Sequence, residues 1–159
     1  MLIMQLNAFE ALKKASDACD IQFVSGYMGY IASGFLSYFS NVIQAINESA
    51  ALSMAHINSY FGKRSIVIMK NAGLNEAALP FRNACDLGIN AAMLIIFSDD
   101  VTADMSENKQ DSRRYYDIGK TLLLEPKSPK ELYEMLIEAC RISEKIKLPI
   151  LIRITNALH

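Results

Sequence analysis

Four short runs of apolar and β-branched residues limit what this chain can fold into. The runs show little polar alternation, which is typical of strands covered on both faces of a parallel sheet. We therefore predict four buried strands, at residues 21–26, 65–70, 91–98 and 148–154. Residues 121–125 predict a fifth strand, and residues 41–47 contain a candidate for a very short further one.

Stretches with helical periodicity lie between these runs. The spacing of their apolar residues predicts helices over residues 7–19, 33–46, 48–62 and 75–88. Pro80 lies inside the last of these and is expected to kink or restart it. The clearest amphipathic helix covers residues 129–146, with Ser128 as its N-cap and Pro129 at its first position. Its core-facing residues are predicted to be Leu132, Met135, Leu136, Ala139, Ile142 and Ile146.

The alternation of strands and helices at this spacing indicates a doubly wound α/β fold. We predict a single three-layer domain over residues 1–159, with helices on both faces of a mostly parallel sheet. In open sheets of this kind, ligands bind beyond the carboxyl ends of the strands. The loops that follow the strands are therefore the segments in which to search for a site.

Composition and charge argue against several classes of function. The net charge is −1 and the basic residues are scattered, which argues against a nucleic-acid-binding surface. No apolar run reaches the roughly 18 residues that span a bilayer, and the N-terminal residues lack the pattern of a signal peptide. A cytoplasmic protein without membrane contact is expected. Cys19, Cys85 and Cys140 are far apart and form no C-x-x-C pair, so they predict buried free thiols rather than a metal site.

Three loops are predicted at the carboxyl ends of strands, over residues 25–33, 69–76 and 98–117. The first contains Gly26 and Gly29 but lacks the third glycine of a dinucleotide fingerprint, so its glycines are expected to permit a tight turn. The second is predicted as a strand-to-helix turn with Gly73 at its centre, which would expose backbone amides to a ligand. The third is long and polar, and is either functional or a solvated excursion.

Glu48 has a position that allows two interpretations. It begins a predicted helix whose following residues are mostly apolar. Acidic residues are common in first helical turns because they oppose the partial positive charge of the helix N-terminus. A carboxyl held among apolar residues can instead retain a proton for catalysis. His56, in the middle of the same helix, is more typical of a packed or surface histidine than of a general base, and no G-x-S-x-G nucleophile motif is present.

Several stretches of the chain resemble one enzyme family in order and spacing. They are SGYMGYIAS, INESAALSMAHINSYFGKRSIVIMKNAGLNEAALP, LIIFSDDVTADMSENKQDSRRY and EPKSPKELYEMLIEACRISEKIKLPILIRIT. This set is similar to the N-terminal pyrimidine-binding domain of the alpha subunit of indolepyruvate:ferredoxin oxidoreductases. Those enzymes are thiamine-diphosphate-dependent 2-oxoacid oxidoreductases. The resemblance covers roughly residues 5–158.

The resemblance implies a cofactor role for Glu48. In thiamine-diphosphate enzymes a carboxyl on this domain hydrogen-bonds the ring nitrogen of the cofactor's aminopyrimidine and drives it toward its imino form. Residues expected near the cofactor are Gly26, Tyr27, Gly29, Ser33, Gly73 and Asn75. Residues expected near the substrate are Lys70, Gln110 and Arg113. For Arg113, a bidentate contact with a substrate carboxylate and a local pair with Asp111 or Asp117 are equal alternatives.

The resemblance also implies that the chain is a half-site that is not active alone. The magnesium and the diphosphate of the cofactor are expected to be held by a diphosphate-binding subunit or domain, in a homo- or hetero-oligomer. The implied reaction is oxidative decarboxylation of an arylpyruvate-like 2-oxoacid to an acyl-CoA, with ferredoxin as acceptor.

Two other functions stay open at this point. One is the small subunit of a split non-oxidative 2-oxoacid decarboxylase. The other is a catalytically silent module of the same fold. The silent module is motivated by residues 26–33, which read GYMGYIAS where family members usually carry GYPGTPS, so both prolines and the threonine are absent.

Overall fold

A computed structural model describes residues 6–29, 31–99, 101, 109–155 and 158. Helices and strands alternate along these residues. The strands are β1 (Phe23–Gly26), β2 (Val42–Gln44), β3 (Ser65–Lys70), β4 (Met93–Asp99), β5 (Leu123–Leu124) and β6 (Ile150–Thr155). The helices are α1 (Ala8–Ala18), α2 (Ile31–Ser37), α3 (Glu48–Tyr60), α4 (Asn71–Glu76), α5 (Ala78–Leu87), α6 (Tyr115–Gly119) and α7 (Pro129–Ile146). A 3-10 turn over Ser112–Arg114 precedes α6.

The described strands form one parallel sheet in the order β2-β1-β3-β4-β6-β5. One row of paired residues crosses four of them and is buried throughout, namely Val24, Ile66, Leu94 and Ile150. Helices pack on both faces of these strands, which explains why the strands appear in the sequence as continuous apolar runs. The predicted doubly wound α/β fold is confirmed.

Each face of the sheet carries its own apolar core. On one face, α1, α2 and α7 contribute Leu12, Phe35 and Leu136 to a cluster with alternate residues of the strands. On the other face, α3, α4 and α5 contribute a second set, Leu52, Leu74 and Phe81. Alternate residues of one strand therefore pack into opposite cores. The same alternation determines the face of the sheet on which the last residues of each strand lie.

The prediction for α7 is confirmed except at two core-facing positions, since Met135 is only half-buried and lies outside the apolar cluster. The Ser128 Oγ accepts a hydrogen bond of 3.2 Å from the Glu131 N–H, and Pro129 occupies the first helical position. Ile146, however, is exposed, and the buried position near the C-terminus belongs to Ser143. The Ser143 hydroxyl donates to the Leu148 carbonyl at 2.9 Å, so a polar residue takes a place that an apolar pattern could not predict.

The predicted helix over residues 33–46 is wrong in its second half. α2 ends at Ser37, whose hydroxyl donates to the Gly34 carbonyl at 2.7 Å. The chain then forms β2, which confirms the short strand considered for residues 41–47. β2 is a three-residue edge strand that pairs with β1. Its apolar residues continue the helical spacing of α2, so the sequence pattern did not separate the strand from the helix.

The region between β3 and β4 also differs from the prediction. The expected turn over residues 69–76 does not form, because β3 leads directly into α4 and Gly73 is a buried residue of that helix. The helix predicted over residues 75–88 is interrupted at Ala77 and resumes as α5. Pro80 lies in the first turn of α5, where its missing N–H is harmless, so the expected restart is confirmed.

The loop predicted over residues 98–117 is shorter in the structure. β4 extends to Asp99, and residues 112–119 form the 3-10 turn and α6. Within this predicted loop, residues 100 and 102–108 lie outside the described residues.

The cysteines are free thiols. Cys19 and Cys140 are buried as expected, whereas Cys85 is only half-buried. Burial raises the pKa of the Cys85 thiol to about 12. In the described part of the chain, no helix combines the length and apolar character needed to cross a bilayer.

Candidate functional site

The connections after two neighbouring strands leave toward opposite faces of the sheet, and we call the region between them the switch-point crevice. β1 and β3 are adjacent, yet β1 is followed by α2 on one face and β3 by α4 on the other. Such a switch point is where open α/β sheets bind ligands, because the two connections diverge beyond the strand ends. The residues lining this end of the sheet are therefore the candidates for a site.

The loop after β1 forms one wall of the crevice. A Cβ at Gly26 would lie 2.5 Å from the Ile68 carbonyl oxygen and 2.7 Å from Leu36 Cδ2, so glycine allows β1, β3 and α2 to meet closely. The Ser33 Oγ accepts a hydrogen bond of 2.9 Å from the Gly29 N–H and closes the loop. Tyr27 is 40% exposed and is available to a ligand.

Lys70 is the last residue of β3, and Ser98 lies beside it as the penultimate residue of β4. They are paired in the parallel register of β3 and β4, and their alternation places both on the face that carries α2. A Cβ at Gly29 would lie 3.8 Å from the Lys70 Cβ, so the β1 loop approaches this lysine. The Ser98 hydroxyl is buried and has no hydrogen-bond partner among the described residues. Sequence reasoning did not single out Ser98.

Glu48 stands at the mouth of the crevice as the first residue of α3. The Asn47 Oδ1 caps the helix by accepting a 2.8 Å hydrogen bond from the Ala50 N–H. Glu48 is half-buried, and its side chain lies against the backbone of Gly73. A Cβ at Gly73 would lie only 2.6 Å from the Glu48 Oε1 and 2.8 Å from its Cδ, so a larger residue there would force the Glu48 side chain to shift.

Asn75 and Gln110 join α4 to the segment that follows β4. The Asn75 Nδ2 donates to the Gln110 Oε1 at 2.7 Å, and the Gln110 Nε2 donates back to the Asn75 Oδ1 at 3.1 Å. The Gln110 Nε2 also donates to the Asn71 carbonyl at 3.3 Å. The Tyr115 hydroxyl donates to the same Asn75 oxygen at 2.7 Å. Both amides are therefore engaged within the chain.

A buried ion pair anchors this segment to the sheet. Asp99 is fully buried and accepts hydrogen bonds from the Ser112 N–H at 2.8 Å and the Ser112 hydroxyl at 2.7 Å. The Arg153 Nε donates to Asp99 at 2.6 Å, and its Nη1 donates to Glu125 at 2.6 Å. Burial opposes the charge of Arg153, but these carboxylates outweigh burial and raise the pKa of Arg153.

Sequence reasoning missed this network, although one signal for it was present. Arg153 is the single charged residue in an apolar run that predicts a buried strand. A buried charge needs a partner, so the run itself indicates an acidic residue nearby. The sequence could not specify that the partner would be Asp99 at the end of β4.

Arg113 forms a local pair with Asp111, which was one of its two predicted alternatives. The Arg113 Nε lies 2.8 Å from the Asp111 Oδ1, and both side chains are substantially exposed. The hydrogen bond from Arg113 lowers the pKa of Asp111 to about 2. His56 is also engaged, because its Nε2 lies 3.0 Å from the Gly88 carbonyl oxygen.

The structure brings the predicted residues together as two sets. Glu48, Gly73, Asn75 and Gln110 lie on the α4 side of the sheet, and Gly26, Gly29, Ser33 and Lys70 lie on the α2 side. Tyr27 directly follows β1 and is exposed. Across the described ranges, no group of three or more His, Cys, Asp or Glu side chains is arranged to hold a metal ion.

Comparisons with known proteins agree with this geometry. The chain is 32% identical over 155 residues to "Indolepyruvate oxidoreductase subunit IorA" of Methanothermobacter marburgensis; the match covers 92% of this chain and 25% of that relative. The chain thus spans about a quarter of the length of the curated relatives it matches. No family model matches the chain.

Two solved structures share the fold. A 2-oxoglutarate:ferredoxin oxidoreductase from Magnetococcus marinus superposes with a TM-score of 0.82 at 16% identity, over 96% of this chain and 29% of that one. A thiamine diphosphate-dependent 4-hydroxybenzoylformate decarboxylase from Rhodococcus jostii has a TM-score of 0.77 at 16% identity, over 94% of this chain and 30% of that one. The fold is that of the pyrimidine-binding domain predicted from the sequence, and the resemblance to the indolepyruvate oxidoreductase subunits is confirmed.

Proposed function

We propose that this chain, which is similar over nearly all its length to one quarter of an indolepyruvate oxidoreductase subunit, forms the pyrimidine-binding half-site of a thiamine-diphosphate-dependent 2-oxoacid oxidoreductase. One observation carries the proposal. The Glu48 carboxyl lies against the Gly73 backbone at the switch-point crevice of the sheet. A carboxyl fixed in this way has a defined position from which to hold a proton for a bound ring.

The residues around the crevice fit the pyrimidine end of the cofactor. Tyr27, Met28 and Ile46 follow β1 and β2 at this end of the sheet and expose apolar surface, which suits a flat heterocycle. Glu48 would hydrogen-bond the ring nitrogen, and the glycine backbone at Gly26 and Gly29 would allow the ring to approach closely. When bound, thiamine diphosphate supplies the electron sink that decarboxylation of a 2-oxoacid requires.

The task of Glu48 is to hold a proton at one carboxylate oxygen. Contact with Gly73 excludes water from one side of the carboxyl, and the Asn47 cap fixes the first turn of α3. General acid–base groups held in this way contribute about 10²- to 10⁴-fold to a rate.

Lys70 is the proposed contact for the carboxylate of the substrate. The Lys70 side chain lies on the face of the sheet approached by the Gly29 loop, and the unpartnered Ser98 hydroxyl beside it is a second donor. Arg113 is a weaker candidate, because its guanidinium is already paired with Asp111. An arylpyruvate-like 2-oxoacid is the proposed substrate class.

The remaining parts of the enzyme are proposed to come from outside these residues. The chain spans 25% of the relative's length, so a diphosphate-binding domain or subunit would hold the diphosphate and magnesium of the cofactor. The proposed assembly is a homo- or hetero-oligomer in the cytoplasm, with ferredoxin reduced by the full complex and acyl-CoA as the product.

Glu48→Gln tests the proposal in the complex purified with its native partner. We expect at least about a 100-fold loss of indolepyruvate-dependent ferredoxin reduction, because the amide cannot exchange a proton with the ring. Glu76→Gln is the matched control, since Glu76 is an exposed acid at the end of α4 and should leave the rate unchanged. Full activity of Glu48→Gln would contradict the proposal and favour a catalytically silent module.

The relatives named as oxidoreductase subunits favour the oxidative reaction, and the solved decarboxylase shares only the fold. The alternative is a split non-oxidative 2-oxoacid decarboxylase. In that case the complex would release an aldehyde and carbon dioxide without reducing ferredoxin. Measuring both products in one reaction separates the oxidative from the non-oxidative enzyme.

A further inference from the structure

The Glu48 carboxyl depends on a helix that cannot hold its own position. α4 has six residues, and Lys70 at its N-cap makes no side-chain capping bond. Helices of this length are unstable in isolation, so tertiary contacts must fix α4. Because Glu48 packs directly on Gly73, a movement of α4 would either displace the carboxyl or open a gap beneath it.

Leu74 packs α4 into the second apolar core, the Tyr115 hydroxyl donates to Asn75, and two further sets of polar contacts hold the helix from opposite sides. On the α3 side, the Ser49 hydroxyl donates to the Glu76 carbonyl at 2.6 Å. On the other side, Gln110 binds both ends of the helix. Its Nε2 donates to the Asn71 carbonyl in the first turn, and its amide forms the reciprocal pair with Asn75 in the last turn.

Gln110 is itself tied to the sheet through buried groups. Its Nε2 lies 2.7 Å from the Ser112 Oγ, and Ser112 makes two hydrogen bonds to Asp99. The charge of Asp99 is matched by Arg153 on the neighbouring strand β6. A continuous series of hydrogen bonds therefore leads from the rigid centre of the sheet to the helix beneath Glu48.

We propose that Gln110 is a positioning residue for Glu48, with Ser112 and Asp99 as its anchor. Gln110 holds α4 at a fixed distance from α3, so that the Gly73 backbone supports the carboxyl in one orientation. The inference rests on the proposed cofactor role of Glu48, and it replaces direct substrate contact as the role of Gln110.

Amide hydrogen exchange on the full 159-residue chain is the first test. Gln110→Ala and the nearly isosteric Gln110→Glu both remove the Nε2 donor. We expect the α4 amides of both variants to exchange at least tenfold faster, while the α7 amides keep their protection. Lys109→Ala is the control, because Lys109 is an exposed neighbour on the same segment. Exchange of α4 within twofold of the parent chain in both Gln110 variants would overturn the inference.

A chemical readout in the complex with the native partner separates positioning from stability. The rate at which the C2 proton of bound thiamine diphosphate exchanges with deuterium reports the proton transfer that Glu48 would promote. We expect Gln110→Ala to slow this exchange at least tenfold, with KM for the 2-oxoacid within twofold of the parent value. Ser128→Ala, which removes the N-cap of α7 on the opposite face of the sheet from α4, should leave the exchange rate unchanged.

The two proposals fail in different ways. If Glu48→Gln abolishes C2 proton exchange while Gln110→Ala leaves it unchanged, Glu48 has its cofactor role and the positioning inference is overturned. If Glu48→Gln itself leaves the exchange unchanged, the proposed function is overturned, and the positioning inference with it.

Discussion

At the scale of single residues, Gly73 is required by a contact rather than by backbone conformation. It lies in a helix, where alanine would normally be the better residue by about 1 kcal/mol. The Glu48 side chain occupies the space that a Cβ would need, so an added methyl group would force this side chain to shift. The requirement for glycine therefore arises from the carboxyl above it.

Gly73→Ala is expected to destabilise the chain despite the helical advantage of alanine. Overpacking costs about 1–3 kcal/mol, which leaves a net loss of about 1 kcal/mol in the free energy of unfolding. Urea unfolding measures this loss. Gly29→Ala is the matched control, because its Cβ would meet Lys70 at an ordinary 3.8 Å. Equal stability of the two variants would contradict the close contact between Glu48 and Gly73.

The pair between Asp111 and Arg113 makes a prediction about pH. The Arg113 hydrogen bond holds the pKa of Asp111 at about 2, below the value of about 3.9 in unfolded chains. Stabilisation by the pair is therefore present above about pH 4 and is lost as the pH falls toward 2. In Arg113→Ala, the pKa of Asp111 should rise toward 3.9, as measured by carbon-detected NMR titration. Arg114→Ala should leave the pKa of Asp111 near 2.

At the scale of elements, the apolar pattern of the sequence predicted the strands that are buried on both faces and the helix that is buried along one face. β3, β4 and α7 agree with prediction because their burial is set by one sheet face or one helical face. β2 and α4 could not be predicted in the same way. The edge strand β2 is defined by its pairing with β1, and α4 is defined by Glu48 and Gln110, which are distant in sequence.

The N-cap of α3 gives a prediction at this scale. Asn47→Ala removes the hydrogen bond to the Ala50 N–H and should cost about 1 kcal/mol of unfolding free energy. Ser128→Ala removes the equivalent bond of α7 and should cost a similar amount. The two variants should differ in function, because only Asn47 fixes the turn that carries Glu48. Thermal unfolding checks the expected stabilities, and the indolepyruvate oxidation that we propose for the complex checks the expected difference in function. Equal loss of activity in both variants would contradict these expectations.

At the scale of the whole molecule, the sequence predicted the edge of the sheet at which the candidate residues meet but not how those residues are connected. Glu48 and the glycine loop were identifiable from their positions at strand and helix ends. The connection through Asp99, Ser112 and Gln110 was not, since hydrogen bonds between distant residues leave no periodic pattern. Arg153 is visible in the sequence as a charge within an apolar strand, and the structure shows that it completes the buried network.

Arg153→Met tests how far this network supports the fold. Arg153 is 4% exposed and Asp99 fully buried, so removal of the cation leaves an uncompensated buried carboxylate. We expect a loss of about 3–5 kcal/mol in the free energy of unfolding, measured by urea at neutral pH. Arg141→Met, at an exposed position of α7, should change the free energy of unfolding by less than about 0.5 kcal/mol.

Asp99→Asn introduced together with Arg153→Met should recover part of the loss, because the neutral amide still accepts from Ser112 without leaving a charge unpaired. A double variant less stable than Arg153→Met alone would show that the Asp99 carboxylate stabilises the fold even without Arg153.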